Sequence, residues 1–134
     1  MARFAIDAPT ALRIVRERVD VGEHQLVGAG ALRSQVMPLL WAEVRAGDLP
    51  EPEGRAQLEA LASLKVRLLA DRVSRSVAWR HAARLGWDDA TRAEPLAVAS
   101  LQADALVTDD PELAAAAEGV VERMPWAGFV AALG

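Results

Sequence analysis

The chain contains no cysteine and no tyrosine, and its 134 residues include only two histidines and two phenylalanines. Without cysteine there is no disulfide, no thiolate metal site, no thiol nucleophile and no clue to redox compartment. His24 and His81 are too far apart in sequence to suggest a zinc pair, and no Ser-His-Asp spacing accompanies either. No apolar run approaches the roughly 18 residues of a membrane span. The opening Met-Ala-Arg-Phe-Ala-Ile-Asp has an early acid and no long apolar region, unlike a secretory signal. A cytoplasmic chain without membrane association is the default expectation. Gly28-Ala29-Gly30 is too short for a phosphate-binding loop and lacks the Lys-Ser/Thr that would complete one.

What is present suffices for one domain spanning residues 1–134, since 52% of the chain is apolar and its length allows a real core. The net charge of −4 is uneven. Residues 65–84 carry six basic side chains against Asp71, whereas residues 85–134 carry nine acids against Arg92 and Arg123. An acidic chain with so compact a basic segment can still bind a polyanion locally.

Short apolar runs alternate with helical patterns, which predicts an α/β fold with a mostly parallel central sheet flanked by helices. Strands are expected at Phe4–Ile6, His24–Val27, Lys65–Leu69, Ala105–Thr108 and Val120–Arg123. Thr10 is a candidate cap for the first helix, and Gly28-Ala29-Gly30 a turn. A second helix, from about Ala31 to Arg45, should be kinked or split by Pro38. A third follows the loop Asp48–Pro52 and runs from about Glu53 to Leu61. Asp71 is expected to cap the basic helix ending at Gly86. A helix through Leu101 carries Pro95 in its first turn. Two more follow, from Pro111 to about Glu118 and from Pro125 to Leu133.

Asp7 closes the first strand and Asp110 follows the fourth. Adjacent parallel strands would bring both carboxylates to one carboxyl edge, where open α/β sheets bind ligands. Clustered carboxylates repel one another, so a shared cluster points to a cation. Glu43, inside the apolar Leu39-Leu40-Trp41-Ala42-Glu43-Val44, and Glu94, opening the helix before the fourth strand, are further candidates. Each acid alone has a plainer reading: Asp7 and Asp110 as caps, Glu43 on an exposed face.

In the basic helix, a 100° wheel groups Val73, Val77, Ala78, His81 and Leu85 on one face and sets Arg72, Arg75 and Trp79 opposite. Arginine pairs with phosphate and an aromatic stacks on an unpaired base, so Arg72 and Arg75 are candidate RNA contacts. A solvated helix face is the simpler alternative in a chain with 14 Arg and one Lys. His81 is expected in the core, as are Trp41 and Trp87; Trp126 is expected to pack the terminal helix.

Three segments, Phe4-Ala5-Ile6-Asp7-Ala8, Leu39-Leu40-Trp41-Ala42-Glu43-Val44 and Ala105-Leu106-Val107-Thr108-Asp109-Asp110-Pro111-Glu112-Leu113-Ala114, carry a likeness. The chain resembles a PIN-domain protein of the VapC type, the ribonuclease toxins of bacterial toxin–antitoxin pairs, over essentially its whole length. The resemblance implies a Mg²⁺- or Mn²⁺-dependent endoribonuclease that hydrolyses RNA phosphodiesters. Its acids would be Asp7, Glu43, Glu94 and Asp110, with Asp7, Glu94 and Asp110 on the metal and Thr108 supporting the site. It also implies a homodimer and a small antitoxin. There are departures. Pro9 stands where the family often has a small hydroxyl residue, and Glu94 precedes Pro95 where an Asp is common. Asp89 is the reserve for that third acid. A PIN-fold RNA- or protein-binding module with weakened catalysis is the alternative. Phosphotransfer at Asp7 is disfavoured, because Pro9 replaces a second acid and Lys65 is the only lysine.

Overall fold

The computed structural model describes all residues 1–134. Five strands, β1 (Arg3–Ile6), β2 (Gln25–Ala29), β3 (Arg67–Leu69), β4 (Ala105–Val107) and β5 (Glu122–Met124), form one sheet in the order β3-β2-β1-β4-β5. Every neighbouring pair is parallel, so the expected mostly parallel sheet is entirely so. Seven helices connect and flank it: α1 (Ala8–Arg16), α2 (Leu32–Arg45), α3 (Glu51–Ala62), α4 (Arg72–Leu85), α5 (Glu94–Gln102), α6 (Pro111–Ala117) and α7 (Trp126–Leu133). None is long and apolar enough to cross a membrane.

Alternation along the strands builds three layers. Phe4, Ile6, Leu26, Ala105 and Val107 pack against Leu12 and Ile14 of α1, Leu32, Val36 and Leu40 of α2, and Trp126 and Phe129 of α7. Ala5 and Leu106 face the opposite side, against Leu96 and Ala99 of α5 and Leu113, Ala116 and Ala117 of α6. A separate alanine seam, Ala78 and Ala82 with Ala93 and Ala97, joins α4 to α5.

Several local expectations are corrected. Asp7, not Thr10, caps α1: its carboxylate accepts from the Thr10 backbone N–H, and Thr10 lies one turn inside the helix. Strand β2 continues through Gly28 and Ala29, so only Gly30 remains as the turn. Glycine is required there, because a Cβ on Gly30 would stand 2.4 Å from the Ala70 Cβ where the chain leaves β3. Pro38 does not split α2, which runs unbroken from Leu32 to Arg45. Its packing is anchored on either side of the proline by buried Val36 and Leu40. The last strand starts two residues later than expected and ends one later.

Asp71 caps α4 through a reciprocal pair of bonds with Ser74, and Gly86 ends it in the left-handed conformation at φ 69°. Ser74 lowers the Asp71 pKa first through its backbone N–H and then through its hydroxyl. Pro95 lies in the first turn of α5. The buried face of α4 is Ser74, Ala78 and Ala82. Val73 is therefore 57% exposed, contrary to the wheel. His81 is half-buried beside Arg84 rather than in the core, and its pKa is lowered by burial and then by Arg84 and Arg80. Trp41 is 60% exposed because it lies one step past the buried Leu32-Val36-Leu40 stripe. Trp87 is only partly buried, and Trp126 packs α7 as expected.

Candidate functional site at the carboxyl edge of the sheet

The register between β1 and β4 pairs Ile6 with Val107. The next residues, Asp7 and Thr108, therefore emerge side by side at the carboxyl edge. The sheet order reverses between these strands, at the switch point where open α/β folds form a crevice. The Asp7 carboxylate is buried and receives three hydrogen bonds: the Thr10 N–H at 3.0 Å, the Thr10 hydroxyl, and the Thr108 hydroxyl at 2.6 Å. Thr108, fully buried, also accepts from the Asp110 N–H at 3.1 Å. Asp110 in turn caps α6 through the Glu112 N–H at 3.0 Å. A continuous chain of polar bonds thus ties α1, β1, β4 and α6 together.

Over this chain lies a cleft of about 290 Å³ whose polar lining is Asp7, Gln35, Asp89, Thr91, Arg92 and Asp110. Arg92 reaches toward Asp110 at 3.8 Å and Glu112 at 3.5 Å, and its guanidinium lies 4.7 Å over the Trp87 ring. Asp89 accepts from the Thr91 hydroxyl at 2.6 Å and the Thr91 N–H at 2.9 Å. Those bonds, with a smaller contribution from Arg92, hold its carboxyl below the usual range.

Of the four expected acids, Asp7 and Asp110 meet in this cleft and two do not. Glu43 is ion-paired with Arg16 in a neighbouring groove between α1 and α2 that shares only Pro9 with the cleft. The residue of α2 that lines the cleft is Gln35. Eight residues on, Glu43 lies about 12 Å farther along the helix axis. Glu94 lines a recess of about 170 Å³ with Gly30, Leu69, Ser74 and Arg75, at the ends of β2 and β3. Burial raises its pKa, repulsion from Asp89 adds to the effect, and Arg75 partly opposes it. Arg92 and Pro95 face the cleft from the same turn, so the reserve acid Asp89, rather than Glu94, is the one beside Asp7. Neither Gln35 nor Arg92 is an acid, so the pattern of carboxylates in the sequence gives no sign of either.

The donor set does not fit a Mg²⁺ or Mn²⁺ centre. Such ions need several converging oxygen ligands, and no group of three or more His, Cys, Asp or Glu side chains is close enough to hold one. A carboxylate offers about four acceptor positions, and three on Asp7 are filled. One Asp110 oxygen is held by Glu112 N–H and the other faces Arg92. Asp89 has one oxygen taken by the Thr91 N–H and hydroxyl, and an amide, that hydroxyl and a guanidinium complete the polar lining.

Arg72 and Arg75 are exposed on the first turns of α4, where Arg75 donates to the Ala70 carbonyl at 2.8 Å. Trp79, one turn on, is 72% exposed. The recess holding Arg75 adjoins the cleft, since the consecutive residues Glu94 and Pro95 line one each. Arg75 in the recess and Arg92 in the cleft therefore lie along the same edge.

A small three-layer α/β domain with an all-parallel sheet and a polar crevice at its switch point defines the class. Among solved structures, the chain is similar to PAE2754 from Pyrobaculum aerophilum, with a TM-score of 0.80 and 21% sequence identity over 98% of this chain and 95% of that one. At that identity the likeness concerns the fold. No family model matches the chain, and no curated protein matches it either.

Proposed function

We propose that this chain is a PIN-like RNA-binding module in which metal-dependent hydrolysis is weak or lost. One observation carries the reading: the elements expected to deliver four acids to the crevice bring Asp7, Asp89 and Asp110 together with Gln35 and Arg92, while Glu43 and Glu94 lie elsewhere. The binding role is supported by the cations along the same edge. Arg72 and Arg75 supply phosphate-pairing groups and Trp79 an exposed aromatic face for an unpaired base. Single-stranded or looped RNA is the favoured ligand, since an exposed aromatic can stack only on bases free of a duplex.

The homodimer and small antitoxin implied by the resemblance belong to the same proposal. Met37, Trp41 and Leu58, all exposed along a groove between α2 and α3, are the apolar surface such a protein partner would cover. An active Mg²⁺- or Mn²⁺-dependent endoribonuclease is the second reading, favoured by the convergence of Asp7, Asp89 and Asp110 on one cleft. The separating experiment incubates unstructured RNA with the purified protein in Mg²⁺ or Mn²⁺ and measures binding of the same RNA by fluorescence anisotropy. The expectation is binding, with no cleavage above that of Asp7→Asn. Metal-dependent cleavage that Asp7→Asn abolishes would establish the second reading instead.

A further inference from the structure

Resting on that reading of the cleft, we infer that Arg92 is the cleft's resident cation, the guanidinium serving as the permanent counter-ion that the acidic lining would otherwise take from solution. Three observations converge on it. Arg92 lines the cleft with Asp7, Asp89 and Asp110, and its NH2 group stands 3.8 Å from Asp110 and 3.5 Å from Glu112. No other cationic side chain lines that cleft. The Trp87 ring, 4.7 Å from the guanidinium carbon, backs the cation and fixes where its charge is presented.

Carboxylates gathered at one edge need a positive partner. A divalent ion supplies two charges and is exchangeable; a tethered guanidinium supplies one and cannot leave. Arginine also stays protonated throughout the physiological range, so the pairing persists at any working pH. With Arg92 in place, a divalent ion entering the cleft would meet a like charge, and Gln35 offers it only a neutral oxygen. The acidic residues are thereby reserved for structure: Asp7 and Asp110 organise helix starts and Asp89 a turn.

The consequence is specific. Removing the resident cation should make the fold responsive to divalent ions, and adding acids at positions 92 and 35 should strengthen the response. The test measures Tm in EDTA and in millimolar Mn²⁺ for wild type, Arg92→Gln and the double variant Gln35→Glu/Arg92→Asp. Manganese-enhanced water relaxation on the same samples reports binding directly. Wild type is expected to be unmoved. Arg92→Gln should gain a small upward shift and the double variant roughly 3–6 °C, with Asp7→Asn in the double background abolishing the gain. Wild type unmoved and no folded variant responding would overturn the role of Arg92 while leaving the reading of the cleft intact. A wild-type response lost in Asp7→Asn would overturn both. Arg92 is partly exposed on a surface turn, so Arg92→Gln carries the test if the double variant does not fold.

Discussion

Two carboxylates on the same sheet edge are treated in opposite ways. Asp7, in the β1–β4 crevice, is buried yet surrounded by donors: two threonine hydroxyls, a backbone N–H and the start of α1. Glu94, in the β2–β3 recess, is partly buried beside Arg75 and Asp89 and makes no hydrogen bond through its side chain to any protein group, so its charged form is disfavoured. The first acid is part of the framework that joins four elements. The second is a tolerated charge in a small hollow. Burial alone does not mark a functional acid; the partners gathered round it decide what it does.

The largest effect that separates the two should come from truncation. Asp7→Ala leaves the Thr108 hydroxyl without its acceptor, leaves the Thr10 hydroxyl only the Val107 carbonyl and removes the α1 cap, for a loss of about 2–4 kcal/mol in denaturant unfolding. Glu94→Ala should leave stability nearly unchanged. A loss of equal size at both positions would break the contrast. Next comes Thr108→Val, which keeps the shape and deletes the hydroxyl linking Asp7 to the Asp110 N–H. The expected cost is about 1–3 kcal/mol, with Thr108→Ser recovering part of it.

On the binding side, joint reversal of Arg72 and Arg75 to Glu should weaken RNA binding by about tenfold or more at low salt and flatten its salt dependence. Unchanged affinity would return those residues to an ordinary solvated face. The smallest effect concerns pH. Because the folded-state pKa of Glu94 is raised, the native state holds its proton more tightly than the unfolded chain does. Stability from this group is therefore greatest at low pH and declines as pH rises through the window between the ordinary glutamate value and the raised one. Glu94→Gln should match wild type in Tm below that window and exceed it slightly above. The opposite crossing would show that Glu94 is better stabilised as a carboxylate than the recess suggests.

Much of this architecture was legible in the chain. The run Phe4-Ala5-Ile6 and the run Ala105-Leu106-Val107 are short and apolar on both faces, as buried parallel strands must be. That pattern alone predicts Asp7 and the Thr108–Asp110 turn at one edge. Asp71 and Gly86 marked the ends of α4 through local chemistry, which survives any tertiary context. The second and third acids were not legible, because which residue of a helix faces a crevice depends on where the helix begins and how it is rotated. Glu43 has an apolar neighbourhood, yet it lies too far along α2. Glu94 is two residues from Arg92, and on a tight turn two residues reverse the side faced. Trp41 failed for a related reason: hydrophobicity predicted burial, but the Leu32-Val36-Leu40 stripe already filled the face turned to the core.

With Gln35 and Arg92 on its walls, the β1–β4 crevice is proposed to take no catalytic divalent ion. The most direct test is calorimetric titration of the wild-type protein with Mn²⁺, run beside Asp7→Asn. No saturable heat is expected in either sample at millimolar ion. A saturable, stoichiometric signal in wild type that disappears in Asp7→Asn would contradict the proposal.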